Sequence, residues 1–233
     1  MKKVCVLTGA GISAESGIRT FRDADGLWEG HDVQEVATPE GWARNQALVL
    51  EFYNQRRAQL HTVEPNEGHK ELLRLEETHE TVIITQNVDN LHEKAGSKNI
   101  IHLHGELSKV RSQRNPSLIY EWEKDLLKGD VCALGSQLRP HIVWFGEAVP
   151  KLEEAIGHMV DADHVLIIGT SMQVYPAASL TAYAPDYAKI YYVDPSPQLN
   201  YELSRQENRL HIFKGPASIK VKEAVELILT ASF

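Results

Sequence analysis

The sequence predicts an α/β fold: a doubly wound, parallel Rossmann-like sheet with a smaller inserted, mainly helical domain. Short β-branched runs recur along the chain, and most of them end in Gly, Asn, Asp or Thr. Helical patterns separate several of these runs, and a glycine-rich turn follows the first one. Nearly continuous apolar strands are typical of a parallel sheet covered on both faces, and strand–helix alternation indicates that the sheet is doubly wound.

The predicted strands, in chain order, occupy residues 4–8, 82–85, 100–104, 142–145, 165–169, 190–193 and 210–213. A helix follows Thr38 and Pro39, and Asn66 is placed to cap another that carries leucines at positions 72, 73 and 75. Further helices are predicted over residues 151–160 and 220–229.

Two stretches interrupt this alternation. Residues 29–77 show helical patterns without a convincing strand, and residues 107–139 are polar and poorly periodic. We therefore expect both stretches to form the small domain, while residues 1–28, 78–106 and 140–233 form the Rossmann-like domain. A cleft between two domains is the default position of a ligand site.

The composition argues against several classes of protein. The 233 residues include 24 Lys and Arg against 32 Asp and Glu, a net charge of -8 that argues against direct nucleic-acid binding. Cys5 and Cys132 lie far apart, which excludes a disulfide scaffold and a cysteine-rich zinc site, and fits a cytoplasmic location. No apolar run reaches the ~18 residues of a membrane span, and a strand predicted from residue 4 argues against a signal peptide.

The turn after the first strand matches the pattern G-x-G-x-x-[G/A], with Gly9 and Gly11 as its glycines. Such glycines let the backbone approach a pyrophosphate at a helix N-terminus. Tight strand–helix turns also contain two glycines without binding a nucleotide, and the acidic residue expected about 20 positions later is missing. The polar segment that follows, with Arg19, Phe21 and Arg22, is either a solvated loop or a lid.

Polar residues also end the second and third predicted strands. Gln86, Asn87 and Asp89 follow the second strand, where open α/β sheets bind ligands, although Asn87 or Asp89 could instead cap the next helix. His102 and His104 fall on one face of the third strand. A strand histidine is more often a core or surface residue, but His104 stands at the strand's end and can exchange protons near neutral pH. His102, one pleat deeper, is the weaker candidate.

Eight motifs occur in a characteristic order, at residues 9–13 (Gly-Ala-Gly-Ile-Ser), 16–22 (Ser-Gly-Ile-x-x-Phe-Arg), 85–89 (Thr-Gln-Asn-x-Asp), 102–106 (His-x-His-Gly-Glu), 139–140 (Arg-Pro), 145–147 (Phe-Gly-Glu), 169–171 (Gly-Thr-Ser) and 174–177 (Val-x-Pro-Ala). Together they resemble the sirtuin family, the NAD-dependent protein-lysine deacylases, and the likeness runs from residue 4 to about residue 217. It is nearest to bacterial enzymes of the class III, desuccinylase type.

The resemblance implies contacts to NAD by Gly9, Ala10, Gly11, Ser13, Arg22, Gln86, Asn87, Asp89, Gly169, Thr170, Ser171 and Ala217. It implies that Asn87 and Asp89 orient the nicotinamide end and that His104 is the general base. In the family, the acyl oxygen attacks the ribose and expels nicotinamide, and the final products are free lysine and 2′-O-acyl-ADP-ribose. The protein or peptide substrate would add as an edge strand, through backbone bonds, to Phe145, Gly146 and Glu147.

The helix after Thr38-Pro39 carries an apolar stripe at Val49, Phe52, Tyr53, Arg56 and Leu60. The stripe predicts that Arg56 points inward and that Arg57 faces water. Such an arginine is often a snorkelling stem or half of a structural ion pair. Here Tyr53 and Arg56 resemble the pair with which class III sirtuins hold a succinyl or malonyl carboxylate, which implies a preference for acidic acyl groups with some deacetylation retained.

The chain departs from the sirtuin pattern in two places. Tyr192 replaces a usual Asn near the adenosine end, where Asp194 remains as a candidate for the ribose. Most sirtuins also bind a structural zinc through two C-x-x-C pairs, whereas here Ser112 stands near the first ligand position and Cys132 near the last. One thiolate cannot complete a tetrahedral site, so we predict no zinc. Packing would hold this segment together, through Leu118, Ile119, Tyr120, Trp122, Leu126 and Leu127.

Other uses of such a pocket remain open: mono-ADP-ribosyl transfer or NAD hydrolysis, an NAD-dependent dehydrogenase, and a non-catalytic NAD or acyl-lysine sensor. The Tyr53/Arg56 pair argues against the first, because neither activity needs a carboxylate clamp. The missing acidic residue argues against a dehydrogenase, and His104 with Asn87 argues against a sensor. The sequence carries no signal for particular protein targets or for an oligomeric state.

Overall fold

The structure, a computed structural model, describes residues 1–19, 27–28 and 30–231. Its strands are, in chain order, β1 (Lys3–Thr8), β2 (Leu27–Trp28), β3 (His31–Asp32), β4 (Glu80–Thr85), β5 (Ile100–His102), β6 (Gly105–Ser112), β7 (Ile119–Glu121), β8 (Leu138–Ile142), β9 (His164–Ile168), β10 (Lys189–Asp194) and β11 (Leu210–Lys214). Its α-helices are α1 (Val33–Val36), α2 (Pro39–Arg44), α3 (Gln46–Gln59), α4 (Glu67–Glu71), α5 (Leu73–Glu76), α6 (Leu91–Ala95), α7 (Leu152–Met159), α8 (Tyr201–Ser204) and α9 (Ala217–Thr230).

Six strands form a parallel sheet in the order β11-β10-β9-β1-β4-β5. From β1 the chain passes to β4 on one side, and it later returns through β9, which pairs with β1 on the other side. In an open α/β sheet, a reversal of this kind leaves a crevice at the carboxyl ends of the strands. The predicted doubly wound, Rossmann-like sheet is confirmed.

Both faces of this sheet are covered, which explains why its central strands are apolar throughout. All six residues of β1 are buried, with Cys5 and Leu7 in one hydrophobic cluster and Val4 and Val6 in the other. Helix α7 packs on the first face, and helix α9 packs on the second. Alternate residues of one strand therefore stabilise two layers of helices.

The predicted helices of the sheet region are confirmed, with small shifts at their ends. The side-chain oxygen of Asn66 accepts the backbone N–H of Gly68 at 2.9 Å and caps α4, as its sequence position indicates. A break at Leu72 separates α4 from α5, and Leu72 and Leu75 are both fully buried. The two later helices are α7 and α9.

A second, three-stranded sheet contains the antiparallel strands β7-β6-β8. The prediction of a strand at residues 142–145 is wrong, because β8 ends at Ile142 and pairs with β6 rather than with the parallel sheet. The inserted region therefore contains helices α1, α2 and α3 together with this small sheet. These strands find their partners across long separations, such as Arg111 beside Arg139, which local periodicity does not reveal.

Helices α1, α2 and α3 pack against the small sheet in a third hydrophobic cluster, which includes Phe52 and Val110 and in which Trp42 contacts Trp144. This cluster is separate from the two on the parallel sheet. The exact division of the chain into two domains stays a prediction. Among the described helices, none has the length and apolar character needed to cross a bilayer.

Candidate active site

The turns after β1 and β9 touch through their backbones. The N–H of Gly11 donates to the carbonyl of Gly169 at 2.7 Å. A Cβ on Gly11 would lie 2.6 Å from the Gly169 Cα, and one on Gly169, where φ is +60°, would lie 2.3 Å from the Ile12 nitrogen. These glycines are therefore required by the neighbouring backbone, whatever ligand lies above them.

The turn after β1 continues as two 3-10 turns, Ala10–Ile12 and Ala14–Ser16. Gly9 and Ala10 open this segment, and Gly9 has an extended backbone. Among the described residues the next α-helix begins at Val33, so 3-10 turns stand where the G-x-G-x-x-[G/A] pattern usually opens an α-helix. These two short turns offer an anion a close approach to the backbone at Gly9 and Gly11, without the dipole of a long helix.

Ser13 connects three polar side chains beneath the sheet's carboxyl edge. Its hydroxyl donates to Asp89 at 3.0 Å, accepts from the Asn87 amide at 3.2 Å and lies 3.5 Å from His69 Nε2. Asp89 also accepts the first N–H of α6, from Leu91, so that it caps this helix as well as reaching the cluster. Burial raises the pKa of Asp89.

Gln86 and Thr170 link the ends of β4 and β9 across β1. The Gln86 amide donates to the Thr170 hydroxyl at 3.0 Å, and the Thr170 carbonyl accepts from the Tyr192 hydroxyl at 2.8 Å. Tyr192, which is fully buried, also accepts the N–H of Gln198 at 3.3 Å. The tyrosine that replaces an expected Asn therefore supports the turn containing Gly169, Thr170 and Ser171.

Asp194 ends β10 and is only 2% exposed, with one carboxylate oxygen accepting the N–H of Ser196 at 2.8 Å. Ala217 is the first residue of α9. Next to it, the N–H and hydroxyl of Ser218 both donate to Glu15 and so tie the start of α9 to the turn after β1. Arg22 and Phe21 lie outside the described residues.

His104 follows β5 and points one ring nitrogen at the backbone. Its Nδ1 lies 3.1 Å from the carbonyl of Gln86. Because a carbonyl only accepts, this contact assigns the proton to Nδ1 and leaves the lone pair on Nε2. Burial lowers the pKa of His104, so the ring is neutral at pH 7. The arrangement suits a general base.

Tyr53 lies at the centre of the third hydrophobic cluster. It is fully buried, and its hydroxyl accepts the indole N–H of Trp144 at 3.0 Å. The tyrosine's own proton is therefore available to another acceptor. Burial raises the pKa of Tyr53, which keeps the hydroxyl protonated. The guanidinium of Arg139 stacks 3.3 Å from the Trp144 ring centroid and fixes the indole.

The two neighbouring arginines of α3 are placed differently from the prediction. Arg57, expected to face water, is 2% exposed and donates to the carbonyl of Leu107 at 2.8 Å and to the side-chain oxygen of Asn54 at 2.8 Å. Arg56, expected to be inward, is partly exposed. Its guanidinium lies 3.7 Å from the ring centroid of Phe52 and donates to the Phe52 carbonyl. The prediction for Arg57 is wrong, because a second face of α3 packs on the small sheet.

Phe145 and Gly146 form a turn rather than an extended edge. The N–H of Phe145 donates to the Ala37 carbonyl, and that of Glu147 donates to the Trp144 carbonyl. The Glu147 carboxylate accepts from Arg139, Arg111 and the Trp144 N–H, so this side chain anchors the turn. Phe145 is 46% exposed.

Three residues with a part in this geometry, Trp144, Arg57 and Glu93, were not predicted from the sequence. Trp144 stands directly before the Phe-Gly-Glu motif, which was a signal that could have been used. The burial of Arg57 depends on Leu107, 50 positions away in the chain, and the contact of Glu93 with His102, at 2.7 Å, depends on how α6 folds back on β5.

The comparison with protein families decides the identity of this fold. A family model described as the Sir2 family matches residues 9–176, more than half of the chain. The chain belongs to the Sir2 family. The sirtuin resemblance read from the eight sequence motifs is thereby confirmed.

Curated relatives match this chain over most of its length. A Bacteroides thetaiotaomicron protein named NAD-dependent protein deacylase is 52% identical over 99% of this chain and 100% of its own. A Helicobacter pylori protein of the same name is 63% identical over 84% of this chain and 85% of its own. In each case NAD-dependent protein deacylase is the name of the relative.

Solved Sir2 structures share the fold. The crystal structure of a Sir2 homolog–NAD complex is 37% identical, with a TM-score of 0.85, and the match covers 99% of this chain and 90% of that one. A structure described as Sir2 bound to acetylated peptide is 28% identical, with a TM-score of 0.75, and the match covers 98% and 92% of the two chains.

The segment at which Sir2 proteins commonly hold zinc offers a poor donor set here. The thiol of Cys132, which is 5% exposed, donates to the hydroxyl of Ser112 at 3.2 Å. The Ser112 hydroxyl also accepts the N–H groups of Arg114 and Asn115. One thiol and one hydroxyl do not fit a tetrahedral zinc site. The absence of zinc stays a prediction, and this hydrogen bond adds to the packing expected to hold the segment.

Proposed function

We propose that this chain is an NAD-dependent protein deacylase that removes succinyl and malonyl groups, and also acetyl groups, from lysine side chains. The observation that carries the proposal is the neutral His104, whose Nδ1 lies on the Gln86 carbonyl, one residue before the buried Asn87 that bonds to Ser13. The names of the curated relatives and the Sir2 structures with NAD or acetylated peptide support the same activity.

The polar groups at the crevice fit NAD. The glycines of the turn after β1 allow a pyrophosphate to approach the backbone closely, and the buried amide and carboxylate side chains suit ribose hydroxyls and a carboxamide. The residues proposed to hold NAD are Gly9, Ala10, Gly11, Ser13, Arg22, Gln86, Asn87, Asp89, Gly169, Thr170, Ser171 and Ala217. When bound, NAD supplies the electrophilic ribose carbon and nicotinamide as the leaving group.

His104 acts as the base in this proposal. Its Nε2 takes a proton from a ribose hydroxyl, while Nδ1 keeps its own proton on the Gln86 carbonyl. Base assistance of this kind is typically worth 10²–10⁴-fold in rate. Asn87 and Asp89 hold the nicotinamide end, and Phe145 and Gly146 border the proposed peptide edge. The products are nicotinamide, free lysine and 2′-O-acyl-ADP-ribose.

Tyr53 and Arg56 are proposed to select acidic acyl groups. The Tyr53 hydroxyl has a proton left to donate, because the indole of Trp144 fills its acceptor side. Arg56 lies one helical turn later and supplies a cation that is partly exposed. A carboxylate that contacts both side chains gains two charge-assisted hydrogen bonds, which the methyl group of an acetyl cannot form.

A panel of acetyl, malonyl, succinyl and glutaryl peptides incubated with NAD tests this proposal. Mass spectrometry should find loss of the acyl mass together with nicotinamide and acyl-ADP-ribose. A peptide that gains ADP-ribose, or NAD hydrolysis without acyl loss, would contradict it and indicate mono-ADP-ribosyl transfer or NAD hydrolase activity.

Replacing Arg56 by methionine tests the acyl selection. Losing one charge-assisted hydrogen bond costs about 1.5–3 kcal/mol, so desuccinylation should fall by roughly 10- to 100-fold in kcat/KM while deacetylation stays within a few-fold. Arg44→Met removes an exposed arginine from the neighbouring helix α2 and serves as the matched control. Equal losses on succinyl and acetyl peptides in Arg56→Met would show that Arg56 does not select the acyl group.

A further inference from the structure

His102 ends β5, two residues before His104, and lies between a helix and a loop. Its side chain is 8% exposed. Its Nδ1 lies 3.1 Å from the carbonyl of Asn87, and its Nε2 lies 2.7 Å from a carboxylate oxygen of Glu93 on α6. Both ring nitrogens thus face an oxygen that accepts hydrogen bonds.

This pair of contacts fixes the charge of the ring. A backbone carbonyl only accepts, and an ionised carboxylate only accepts, whereas neutral imidazole has a single N–H. His102 fills both bonds only as an imidazolium. His104 differs in this respect, because its one assigned contact, to Gln86, is satisfied by a neutral ring.

The charged groups around His102 favour this state. From α6 come Glu93 and the buried, neutral His92; Asp89 precedes that helix; and from β6 come Glu106 and Lys109, which pair with each other at 2.9 Å. Burial alone lowers the pKa of His102, but the hydrogen bond and charge of Glu93, with Glu106, raise the pKa above its ordinary value.

The ligand atoms of Glu93, His102 and Glu106 lie within 4.8 Å of one another, a spacing that a cation could bridge. Both carboxylates already have a cationic partner, however, since Glu106 pairs with Lys109 and Glu93 with the imidazolium. The cluster is therefore satisfied as a chain of ion pairs, with no metal required.

The loop after β4 is held by three successive carbonyls. The Gln86 carbonyl accepts from His104, the Asn87 carbonyl from His102, and the Val88 carbonyl from the N–H of Leu107. Because the N–H of Asn87 also donates to the Thr85 hydroxyl, both backbone polar groups of Asn87 are fixed. Its side-chain amide is thereby directed to Ser13 at 3.2 Å.

We propose that His102 is a positioning residue, held as an imidazolium between Glu93 and the Asn87 carbonyl, which fixes the Asn87 amide for catalysis. The proposal rests on the proposed deacylase function and adds a residue pair, His102 and Glu93, to its machinery. His104 must be neutral to accept a proton, whereas His102 must be charged to hold both contacts.

The two histidines then set opposite limits on activity. Activity falls at acid pH as His104 is protonated, and it falls at alkaline pH as His102 loses its proton and releases one contact. The pH profile of kcat/KM for NAD is expected to be bell-shaped, with its alkaline limb set by His102.

Glu93→Gln is the decisive variant, because it keeps a hydrogen-bonding side chain of the same shape and removes the charge. The pKa of His102, followed by NMR of the labelled imidazole, should fall by about one unit or more. The alkaline limb of the kcat/KM profile should move to lower pH by the same amount. At pH values well above the limb, kcat/KM should therefore fall about tenfold. Glu77→Gln, an exposed carboxylate after α5, is the matched control and should leave the profile unchanged.

His102→Gln supplies an independent readout. The glutamine retains one hydrogen-bond donor but cannot titrate, so kcat/KM should fall and the alkaline limb of its pH profile should disappear. The control His61→Gln, at an exposed position, should change neither kcat/KM nor the alkaline limb. If Glu93→Gln leaves both the alkaline limb and the His102 pKa in place, the positioning role is overturned. The NMR titration needs no acyl substrate: a charged His102 in a chain that deacylates no peptide would refute the deacylase function alone.

Discussion

At the scale of single residues, the site works by giving similar side chains different partners. Tyr53 and Tyr192 are both fully buried tyrosines. The Tyr53 hydroxyl accepts a hydrogen bond from an indole N–H and keeps its own proton for another group. The Tyr192 hydroxyl donates its proton to the Thr170 carbonyl. A buried hydroxyl thus keeps a proton for the proposed acyl carboxylate in one place and holds a backbone turn in the other, according to its neighbour.

Trp144→Phe tests whether the indole orients Tyr53. The substitution removes the N–H that donates to the Tyr53 hydroxyl and keeps an aromatic ring beneath Arg139. Without this bond the tyrosine proton has no fixed direction, at a cost of about 1 kcal/mol. We expect kcat/KM for a succinyl peptide to fall about fivefold and that for an acetyl peptide to change by less than twofold.

The control is Trp122→Phe, which removes an indole N–H bonded to the carbonyl of Asp125 outside the proposed pocket. Trp122→Phe should leave kcat/KM unchanged for both the succinyl and the acetyl peptide. Parallel losses on the two peptides in Trp144→Phe would mean that the indole stabilises the fold and does not direct Tyr53.

At the scale of elements, the packing of helix α3 explains why Arg57 is buried and Arg56 partly exposed, the reverse of the prediction. A single stripe at 3.6-residue spacing predicts one buried face, with Val49 and Phe52 upon it. The helix has two, because Leu50, Asn54 and Arg57 pack toward the small sheet and are buried as well. The second face could not be predicted, since the carbonyl groups it meets, at Leu107 on β6 and at Leu126 in the loop after β7, lie far away in the sequence.

The parallel sheet, by contrast, could be predicted from local sequence. Its central strands are apolar on both faces, and the cap at Asn66 is a contact between near neighbours. The position of Asn87 and His104 in one site could also be predicted, because these residues follow two adjacent strands of the sheet. The small sheet, the turn at Gly146 and the contact of His102 with Glu93 depend on tertiary pairing, so a sequence pattern carries no record of them.

The junction of β5 and β6 depends on a single glycine. Gly105 has φ of +83°, and a Cβ built on it would lie within 1.9 Å of the His141 carbonyl oxygen on β8. Gly105→Ala must therefore distort both the backbone angle and the strand pairing, at a cost of about 2–5 kcal/mol in the free energy of unfolding. Gly129→Ala is the matched control, with φ of +103° and open space around the Cβ, and should cost about 1–2 kcal/mol.

Urea unfolding of both glycine variants measures these free energies. The difference between them isolates the steric contact at β8 from the backbone strain that they share. Equal destabilisation would show that β8 yields to the added methyl group, and that the junction is less rigid than its backbone contact implies.

At the scale of the whole molecule, buried neutral histidines should make stability depend on pH. His69, His141 and His164 each have a pKa lowered to about 4, mainly by burial, against an ordinary value of 6.5. Between these values the unfolded chain binds more protons than the folded one, so the free energy of unfolding rises with pH and is lost as pH falls from 6.5 to 4. The loss on acidification is on the order of 3 kcal/mol for the fully buried His69 and smaller for the partly exposed His141, whereas His102, with its raised pKa, acts in the opposite direction.

His164→Gln separates one of these contributions, and its position makes the test clean. The ring lies at the start of β9, at the opposite end of the strands from the proposed site, where it is 3% exposed and its Nδ1 lies 3.2 Å from the Tyr191 hydroxyl. Urea unfolding at pH 6.5 and 4.5 should show a loss of stability that is smaller than in the wild type by roughly 2 kcal/mol, since one proton-binding group has gone. His61→Gln, an exposed histidine, should keep the wild-type slope. If His164→Gln also keeps that slope, the ring is protonated within the folded protein, and the acid lability must come from other groups.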